Sequence, residues 1–351
     1  SQIGNLMAVL SFNYYVESIS DSKTFIENCN KKEGLMLYDG RDKCKIVTII
    51  PELFAQIENW RKECQHLTPQ EILKTNYIYT ATTVLIWIRQ ELNTNLSIMF
   101  EFYVCLHIVP FLLELIYLRE VCQLGNIDPI TVLKKVSQIP YTTDYLENVI
   151  SMLEHYAEKE LNLVQTLVMG EFTETVYFKN LFKLTRTQRE RVFNLSNKLL
   201  NHKHAEIRVS AAETLSGLIH ISPVEEVEGL VEKYSDLYSK QLDKVRKKYR
   251  KTGYKNMEND DIIKLHGATL GLGALVHAFA FSSPPPKWVP KILTTLANKS
   301  TGIPGIVGKT AKESLGKFKK NRQDSWHIDS KVFTEEQIQD LEGVLWKSYF
   351  I

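Results

Sequence analysis

Side chains that could support acid–base or metal chemistry are few in this sequence, and they form no known catalytic motif. His202 and His204 lie two residues apart, but no cysteine is near enough in sequence to complete a zinc site, so we expect a solvated turn. Asp324, His327 and Asp329 could form an acid–base group, although their polar neighbours favour a surface loop. The sequence contains no nucleophile elbow, HExxH motif, P-loop or dinucleotide fingerprint. We therefore predict a protein that is not an enzyme.

The last three residues, Tyr349, Phe350 and Ile351, offer a different kind of chemistry. An aromatic tail that ends in a carboxylate can enter a preformed pocket and pair with a cation there. The tail directly follows an amphipathic helix, which we predict from a capping box at residues 334–337. A rigid element would then present the tail to a partner. The alternative is an apolar chain end without a docking role.

A basic run is the second candidate binding feature. Its cations could form a nuclear-import signal or a phosphate-binding patch. Alternatively, they cover the solvated end of a helix that starts near Val224, where cations interact favourably with the helix dipole. A second group of basic residues lies between Lys309 and Arg322 and could face a ligand or only solvent. The run consists of Lys244, Arg246, Lys247, Lys248, Arg250, Lys251 and Lys255.

Composition narrows the classes of partner. The 351 residues are 44% hydrophobic and carry a net charge of +2, so no strong overall field selects a polyanion and nucleic acid is an unlikely partner. Five cysteines form no CxxC pair, which favours a reducing compartment. The most apolar stretch, residues 97–118, contains Glu101, His107 and Glu114, so we expect two buried helices joined near Pro110 and no membrane span. Because the chain does not begin with Met, we expect a piece of a longer polypeptide.

The elements that carry these features are predicted to be helices, because apolar residues recur at helical spacing and strand-like alternation is scarce. Breaks are expected at residues 282–286 and 301–305, where prolines cannot continue a helix. The predicted helices cover residues 51–67, 68–92 and 143–161, followed by one that opens with a capping box at 187–190.

One apolar spacing occurs three times in the second half of the chain. Ala211, Leu215 and Leu218 stand at i, i+4 and i+7, and the same spacing returns 57 residues later and again 43 residues after that. Small residues flank each copy, and on an inner helix they would let two helices approach closely. A period in the forties with paired helices is typical of HEAT or armadillo repeats, whereas a generic helical bundle is the alternative. A turn at residues 201–209 would join an outer helix to an inner one.

We therefore predict an all-α fold, an α-solenoid of HEAT/armadillo-like helical hairpins. Residues 1–186 are expected to form earlier repeats of a longer solenoid. Residues 187–333 are expected to form C-terminal HEAT-like repeats, and residues 334–351 a terminal helix with a docking tail.

Five segments of the second half resemble the C-terminal region of the large, single-chain, ATP-independent proteasome activators of yeast and animals. The resemblance extends from about Thr187 to the end and leans toward the fungal members. It implies a HEAT-repeat solenoid that caps the proteasome core particle without catalysing a reaction. The segments are residues 206–218, 265–275, 284–290, 307–315 and 324–326.

The resemblance also implies a role for the tail. In that family a hydrophobic–tyrosine–any tripeptide inserts between two α subunits of the outer ring, where its carboxylate meets a lysine and helps to order or partly open the gate. Tyr349, Phe350 and Ile351 occupy these places. Phe350 departs from the tyrosine, because it keeps the apolar ring and loses a hydrogen bond worth about 0.5–1.5 kcal/mol. Docking could survive this change while gate opening weakens.

Further expectations follow from the resemblance. They are ubiquitin-independent proteolysis, histone or peptide substrates that pass through, a link to DNA repair, and residence in the nucleus and cytoplasm. Some family members bind highly phosphorylated inositols, which makes an inositol phosphate a candidate ligand of the basic clusters. Two other hypotheses stay open. One is an α-solenoid scaffold or karyopherin-like adaptor without a tail-dependent function, and the other is a nucleic-acid-binding repeat using residues 244–255, with strongly salt-dependent affinity.

Overall fold

The computed structural model describes residues 45–92, 103–122, 128–251, 253–254 and 257–345. Every regular element within these ranges is helical, which confirms the predicted all-α fold. The chain divides into two compact units, Ser1–Leu184 and Thr185–Ile351. The described ranges contain fifteen α-helices.

The first unit contains seven of these helices. Helix α3 packs on α1 and α5. Helix α4 packs on α2, α5 and α7, and α6 packs on α7. A π-helical turn, Val104–Ile108, leads directly into α4 and also contacts α6. The helices are α1 (Lys45–Glu63), α2 (Pro69–Ile72), α3 (Asn76–Glu91), α4 (Val109–Cys122), α5 (Pro129–Val136), α6 (Thr143–Glu158) and α7 (Leu163–Asn180).

Two predictions for the first unit are wrong in detail. The capping box at Thr68 forms, with the Thr68 amide donating to Glu71 Oε2 at 2.8 Å, but the helix stops at Ile72. The Thr75 hydroxyl donates to the Ile72 carbonyl at 2.7 Å, and this local bond competes with the helical ladder before α3 starts. No break occurs at Pro110, because the preceding π-helical turn and the first turn of α4 accommodate its ring.

The second unit contains the other eight helices. Helices α9, α11 and α13 pack in series, with α11 in the middle. Helix α8 packs on α9, α10 on α11, and α12 on both α11 and α13, so outer helices cover the inner series. The helices are α8 (Arg186–Leu199), α9 (Ala205–His220), α10 (Val224–Tyr249), α11 (Asn259–Ala278), α12 (Val289–Lys299), α13 (Ile306–Asn321), α14 (Trp326–Asp329) and α15 (Glu335–Leu345).

The three copies of the apolar spacing lie on the inner helices α9, α11 and α13, as the repeat pattern predicted. Glycines on α11 let the end of α8 and the side chains of α10 approach it closely. A Cβ atom at Gly267 would lie 2.2 Å from the Leu200 carbonyl oxygen, and one at Gly271 would lie 2.8 Å from the Tyr234 ring. The predicted breaks at residues 282–286 and 301–305 separate α11, α12 and α13.

The start of α8 differs from its prediction. The capping box uses Thr185 and Gln188, whose side chains each accept a hydrogen bond from the other residue's backbone amide, at 3.2 and 3.0 Å. The predicted box at residues 187–190 is therefore wrong. The helix begins at Arg186, and Thr187 lies within its first turn.

Candidate functional site

The helix that precedes the tail, α15, packs firmly on the rest of the second unit. Its predicted capping box is confirmed, because the Thr334 amide donates to Gln337 Oε1 at 2.9 Å and the Gln337 amide to Thr334 Oγ1 at 3.2 Å. Helix α15 packs on α12 and α13 and buries Leu341. A hydrogen bond of 2.7 Å from Asn298 Nδ2 to Asp340 Oδ2 adds a polar contact to α12. Helix α15 therefore has both an apolar and a polar anchor.

The tail itself lies outside the described residues, which end at Leu345. The roles predicted for Tyr349, Phe350 and Ile351 therefore stay predictions. The structure instead describes the base from which the tail leaves.

An aromatic cluster supports the entry to α15. The Phe333 ring lies 5.4 Å from the Trp326 ring and 6.3 Å from the Phe318 ring, measured between centroids. Phe333 immediately precedes Thr334, the capping residue of α15. The cluster therefore ties the start of the terminal helix to α13 and α14.

Next to this cluster lies a buried ion pair that the sequence analysis missed. Arg322 Nη1 lies 2.9 Å from Asp329 Oδ2, and the two side chains are 2% and 0% exposed. Asp329 also accepts hydrogen bonds from the hydroxyls of Ser283 and Ser325, at 2.7 and 2.6 Å. Arg322 Nη2 donates to the Phe279 carbonyl at 2.7 Å. The pair thus links the end of α11, the proline loop, α13 and α14.

The surface loop predicted around Asp329 is therefore wrong for this residue. Burial opposes ionisation of its carboxyl, yet the hydrogen bonds from Ser325, Ser283 and Arg322 outweigh that cost and hold its pKa below the usual value. Arg322, predicted to belong to a basic surface group, is also buried. Within that group Lys309 lies 3.8 Å from Glu313, and Lys312 is exposed.

A buried hydrogen-bond ladder crosses the three inner helices. Arg208 Nε on α9 donates to His266 Nδ1 on α11 at 2.8 Å, and His266 Nε2 lies 2.9 Å from Thr310 Oγ1 on α13. Because a guanidinium can only donate, His266 Nδ1 accepts and Nε2 carries the proton that is donated to Thr310. Burial, reinforced by the charge of Arg208, lowers the pKa of His266 to about 4.

This ladder predicts a loss of stability in acid. Between about pH 6.5 and pH 4, His266 is protonated in the unfolded chain and neutral in the folded one, so stability is lost as the pH falls. The lowered pKa of His266 contributes in full about 3 kcal/mol to the free energy of unfolding. In His266→Asn, the Oδ1 atom still accepts from Arg208 but does not titrate. We expect the unfolding free energy of this variant to differ less between about pH 7 and about pH 4.5 than that of the wild-type protein.

His277, whose pKa burial also lowers to about 4, should keep the remaining acid dependence in that variant. An unchanged pH dependence in His266→Asn would contradict the assignment of the ladder.

The basic run has two different environments. Lys248 Nζ lies 2.8 Å from Asp261 Oδ2 and 2.8 Å from Glu258 Oε2, and Lys244 Nζ lies 3.4 Å from Asp261 Oδ1. The Tyr249 hydroxyl donates to the same Asp261 carboxylate at 2.9 Å. The Lys248 bond is the main reason that the pKa of Asp261 lies below its usual value, although burial opposes this shift.

Lys244 and Lys248 therefore help to close α10 against the start of α11. Four other residues of the basic run lie within the described residues and are exposed, on α10 and directly after it. They remain candidates for ligand binding: Arg246, Lys247, Arg250 and Lys251.

Metal chemistry finds no support in the described ranges. The His202 and His204 rings lie 5.4 Å apart, and no group of three His, Cys, Asp or Glu residues in this part of the chain could hold a metal ion. None of the described helices has the length and hydropathy needed to cross a lipid bilayer.

Comparisons with known proteins define the family more closely. Residues 262–351 match the family described as proteasome activator complex subunit 4-like, C-terminal. The chain is 31% identical to proteasome activator BLM10 of Saccharomyces cerevisiae over 99% of its length, and 28% identical to proteasome activator complex subunit 4 of Homo sapiens over 50%. It is 25% identical to proteasome activator subunit 4 of Arabidopsis thaliana over 57%.

The chain therefore belongs to the family of large single-chain proteasome activators, as the resemblance predicted. It spans 16% of the yeast relative, 10% of the plant relative and 9% of the human relative.

Proposed function

We propose that this chain is the docking end of a non-enzymatic activator that binds the α subunits of the proteasome core particle. The observation that carries this proposal is the similarity to proteins named proteasome activators, which extends over nearly the whole chain. The anchored helix α15 adds physical support, because a tail that leaves a fixed base loses less conformational freedom on binding than one that leaves a mobile segment.

In the proposed mechanism the tail inserts between two α subunits. Six residues follow Leu345, and six extended residues span at most about 20 Å. Tyr349 and Phe350 supply apolar contacts, and the Ile351 carboxylate pairs with a cation in the pocket. Docking favours partial opening of the gate only if the tail binds the more open state more tightly. Peptide hydrolysis takes place in the core particle.

Wider roles belong to the same proposal. We expect ubiquitin-independent degradation of histone or peptide substrates, a link to DNA repair, and residence in the nucleus and cytoplasm. The exposed residues Arg246, Lys247, Arg250 and Lys251 are the part of the basic run best placed to act as a nuclear-import signal or to bind an inositol phosphate. Lys244 and Lys248 are less suited, because they already pair with Asp261.

The experiment that tests docking compares binding of purified core particles to the full-length protein and to a variant lacking residues 349–351. We expect the deletion to weaken binding about tenfold or more, since it removes a charged contact together with two aromatic anchors. Equal binding of both proteins would favour a scaffold or transport adaptor without a tail-dependent function. Binding to nucleic acid that falls steeply with salt would favour the nucleic-acid alternative.

The missing hydroxyl at Phe350 gives a second prediction. Phe350→Tyr restores the group that the resemblance associates with the gate, so we expect a higher rate of peptide hydrolysis at saturating activator, with little change in affinity. The effect should be about two- to tenfold, the equivalent of one hydrogen bond. Phe350→Leu, which lacks both ring and hydroxyl, serves as the control. A Tyr variant that stimulates hydrolysis no more than the parent protein would show that the hydroxyl has no role here.

A further inference from the structure

The first unit contains a cavity of about 560 Å³ between α1, α3, the π-helical turn, α4, α6 and α7. This volume is typical of sites that bind small molecules or side chains. Aromatic rings form much of its lining. Phe54 stacks on His107 with centroids 5.2 Å apart and meets the edge of Phe111 at 5.5 Å, and Tyr77 and Tyr156 also line the space.

The π-helical turn forms one side of the cavity. It places His107 against Phe54 and leaves the apolar Leu106 side chain 74% exposed. Turns of this type occur frequently at functional sites, because they cost stability and shift side chains out of helical register. Leu106 therefore offers an apolar contact beside the aromatic lining.

Two polar groups in the cavity lack partners. Tyr77 is 2% exposed, yet its hydroxyl makes no hydrogen bond, which is destabilising for a buried polar group. Glu114 makes neither a hydrogen bond nor an ion pair with the described residues. Burial raises the pKa of its carboxyl, and the weaker attraction of Arg61 does not cancel that effect. Both groups can accept a hydrogen bond from a ligand.

The charges around Glu114 identify the missing partner. Arg61 donates two hydrogen bonds of 2.7 Å to the Glu58 carboxylate, and it acts on Glu114 only as a weaker electrostatic attraction. Lys159 is exposed, and its Nζ lies 5.3 Å from the centroid of the Tyr156 ring. Burial lowers the pKa of His107, which keeps the imidazole neutral near pH 7. Of the two carboxylates that line the described cavity, Glu58 is hydrogen-bonded to a cation, whereas Glu114 is attracted by Arg61 without a hydrogen bond to it.

We propose that this cavity binds a primary ammonium on an apolar stem, as carried by a lysine side chain of a polypeptide partner. Its three N–H donors match Glu114 and the Tyr77 hydroxyl, and the aromatic rings attract the cation through their faces. The cavity is larger than one side chain, so an apolar residue next to the lysine would pack on Leu106. This site lies in the first unit, and its proposed ligand does not depend on docking to the α ring.

The test is calorimetric titration of the full-length protein with the capped tripeptide acetyl-Leu-Lys-Leu-amide. The matched control peptide replaces lysine by norleucine, which keeps the stem and removes the charge. We expect the lysine peptide to bind about tenfold more tightly or better. Its affinity should fall as the pH drops through the raised pKa of Glu114, because the neutral carboxyl no longer attracts the ammonium.

Variants locate the site. Glu114→Gln and Tyr77→Phe remove the two unpartnered groups without removing an existing hydrogen bond, so both should fold, and both should reduce the preference for lysine. Glu171→Gln, on the exposed side of α7, should leave it unchanged. Equal binding of the two peptides, or no binding of either, would overturn the proposal. Pentylammonium binding as tightly as the lysine peptide would overturn the polypeptide source in favour of a free amine.

Discussion

Asp329→Ala should destabilise the second unit by about 3–5 kcal/mol. The substitution leaves the Arg322 guanidinium buried without its counter-charge and removes the acceptor of two serine hydroxyls. Because Phe333 and the start of α15 pack beside this ion pair, the effect should reach the terminal helix. Hydrogen exchange of the amides of α13 to α15 measures it directly, and these amides should exchange faster by two orders of magnitude or more.

An exposed ion pair provides the matched control. Glu190 accepts a hydrogen bond of 3.2 Å from Arg186 on the surface of α8, and both side chains are more than half exposed. Glu190→Ala should therefore change stability by less than about 0.5 kcal/mol. The double variant Arg322→Met with Asp329→Leu should recover much of the loss, because no buried charge is left unpaired. If Asp329→Ala behaved like Glu190→Ala, the ion pair would have no structural role.

Gly267→Ala should cost about 3 kcal/mol of the free energy of unfolding. The new Cβ atom would lie 2.2 Å from the carbonyl oxygen and 3.0 Å from the carbonyl carbon of Leu200. Both are backbone atoms, so the clash cannot be relieved by a change of rotamer and α11 must move away from the end of α8. Chemical denaturation of the wild type and the variant measures the difference.

Gly229→Ala is the matched control, since Gly229 lies in α10 and, apart from its own stretch of helix, no atom lies within 4 Å of the new Cβ. Alanine is the better helix former, so this variant should gain about 0.5–1 kcal/mol. The two substitutions are chemically identical and should differ in sign. A loss of similar size in both would mean that the close approach of α11 to Leu200 is not tight.

Local patterns predicted the elements of this protein well. The spacing shared by Ala211, Leu215 and Leu218 marks an inner helix because apolar periodicity reports which face is buried. The capping box at Thr334 marks the start of α15 because its two hydrogen bonds form within one turn. The predicted box at residues 187–190 was misplaced by two residues, because the box that forms uses Thr185 and Gln188.

Long-range packing explains what the sequence did not reveal. Asp329 lies in a polar segment that is typical of a loop, and its burial depends on Ser283, 46 residues away. In the same way, Lys244 and Lys248 belong to a run that suggests a binding patch, yet Asp261 holds them against α11. The aromatic cavity of the first unit also escaped prediction, because its lining comes from six separate elements. Leu106 is exposed although Val104 and Ile108 of the same π-helical turn are buried, and a helical or strand periodicity does not predict this pattern.

The most direct measurement is the rate of peptide hydrolysis by latent core particles. It compares the full-length protein with the variant lacking residues 349–351 and with Phe350→Tyr. We predict that the full-length protein binds and stimulates hydrolysis, that the deletion abolishes stimulation, and that Phe350→Tyr stimulates more strongly. If none of the three proteins bound the core particle or changed the rate, the proposed activator function would be contradicted.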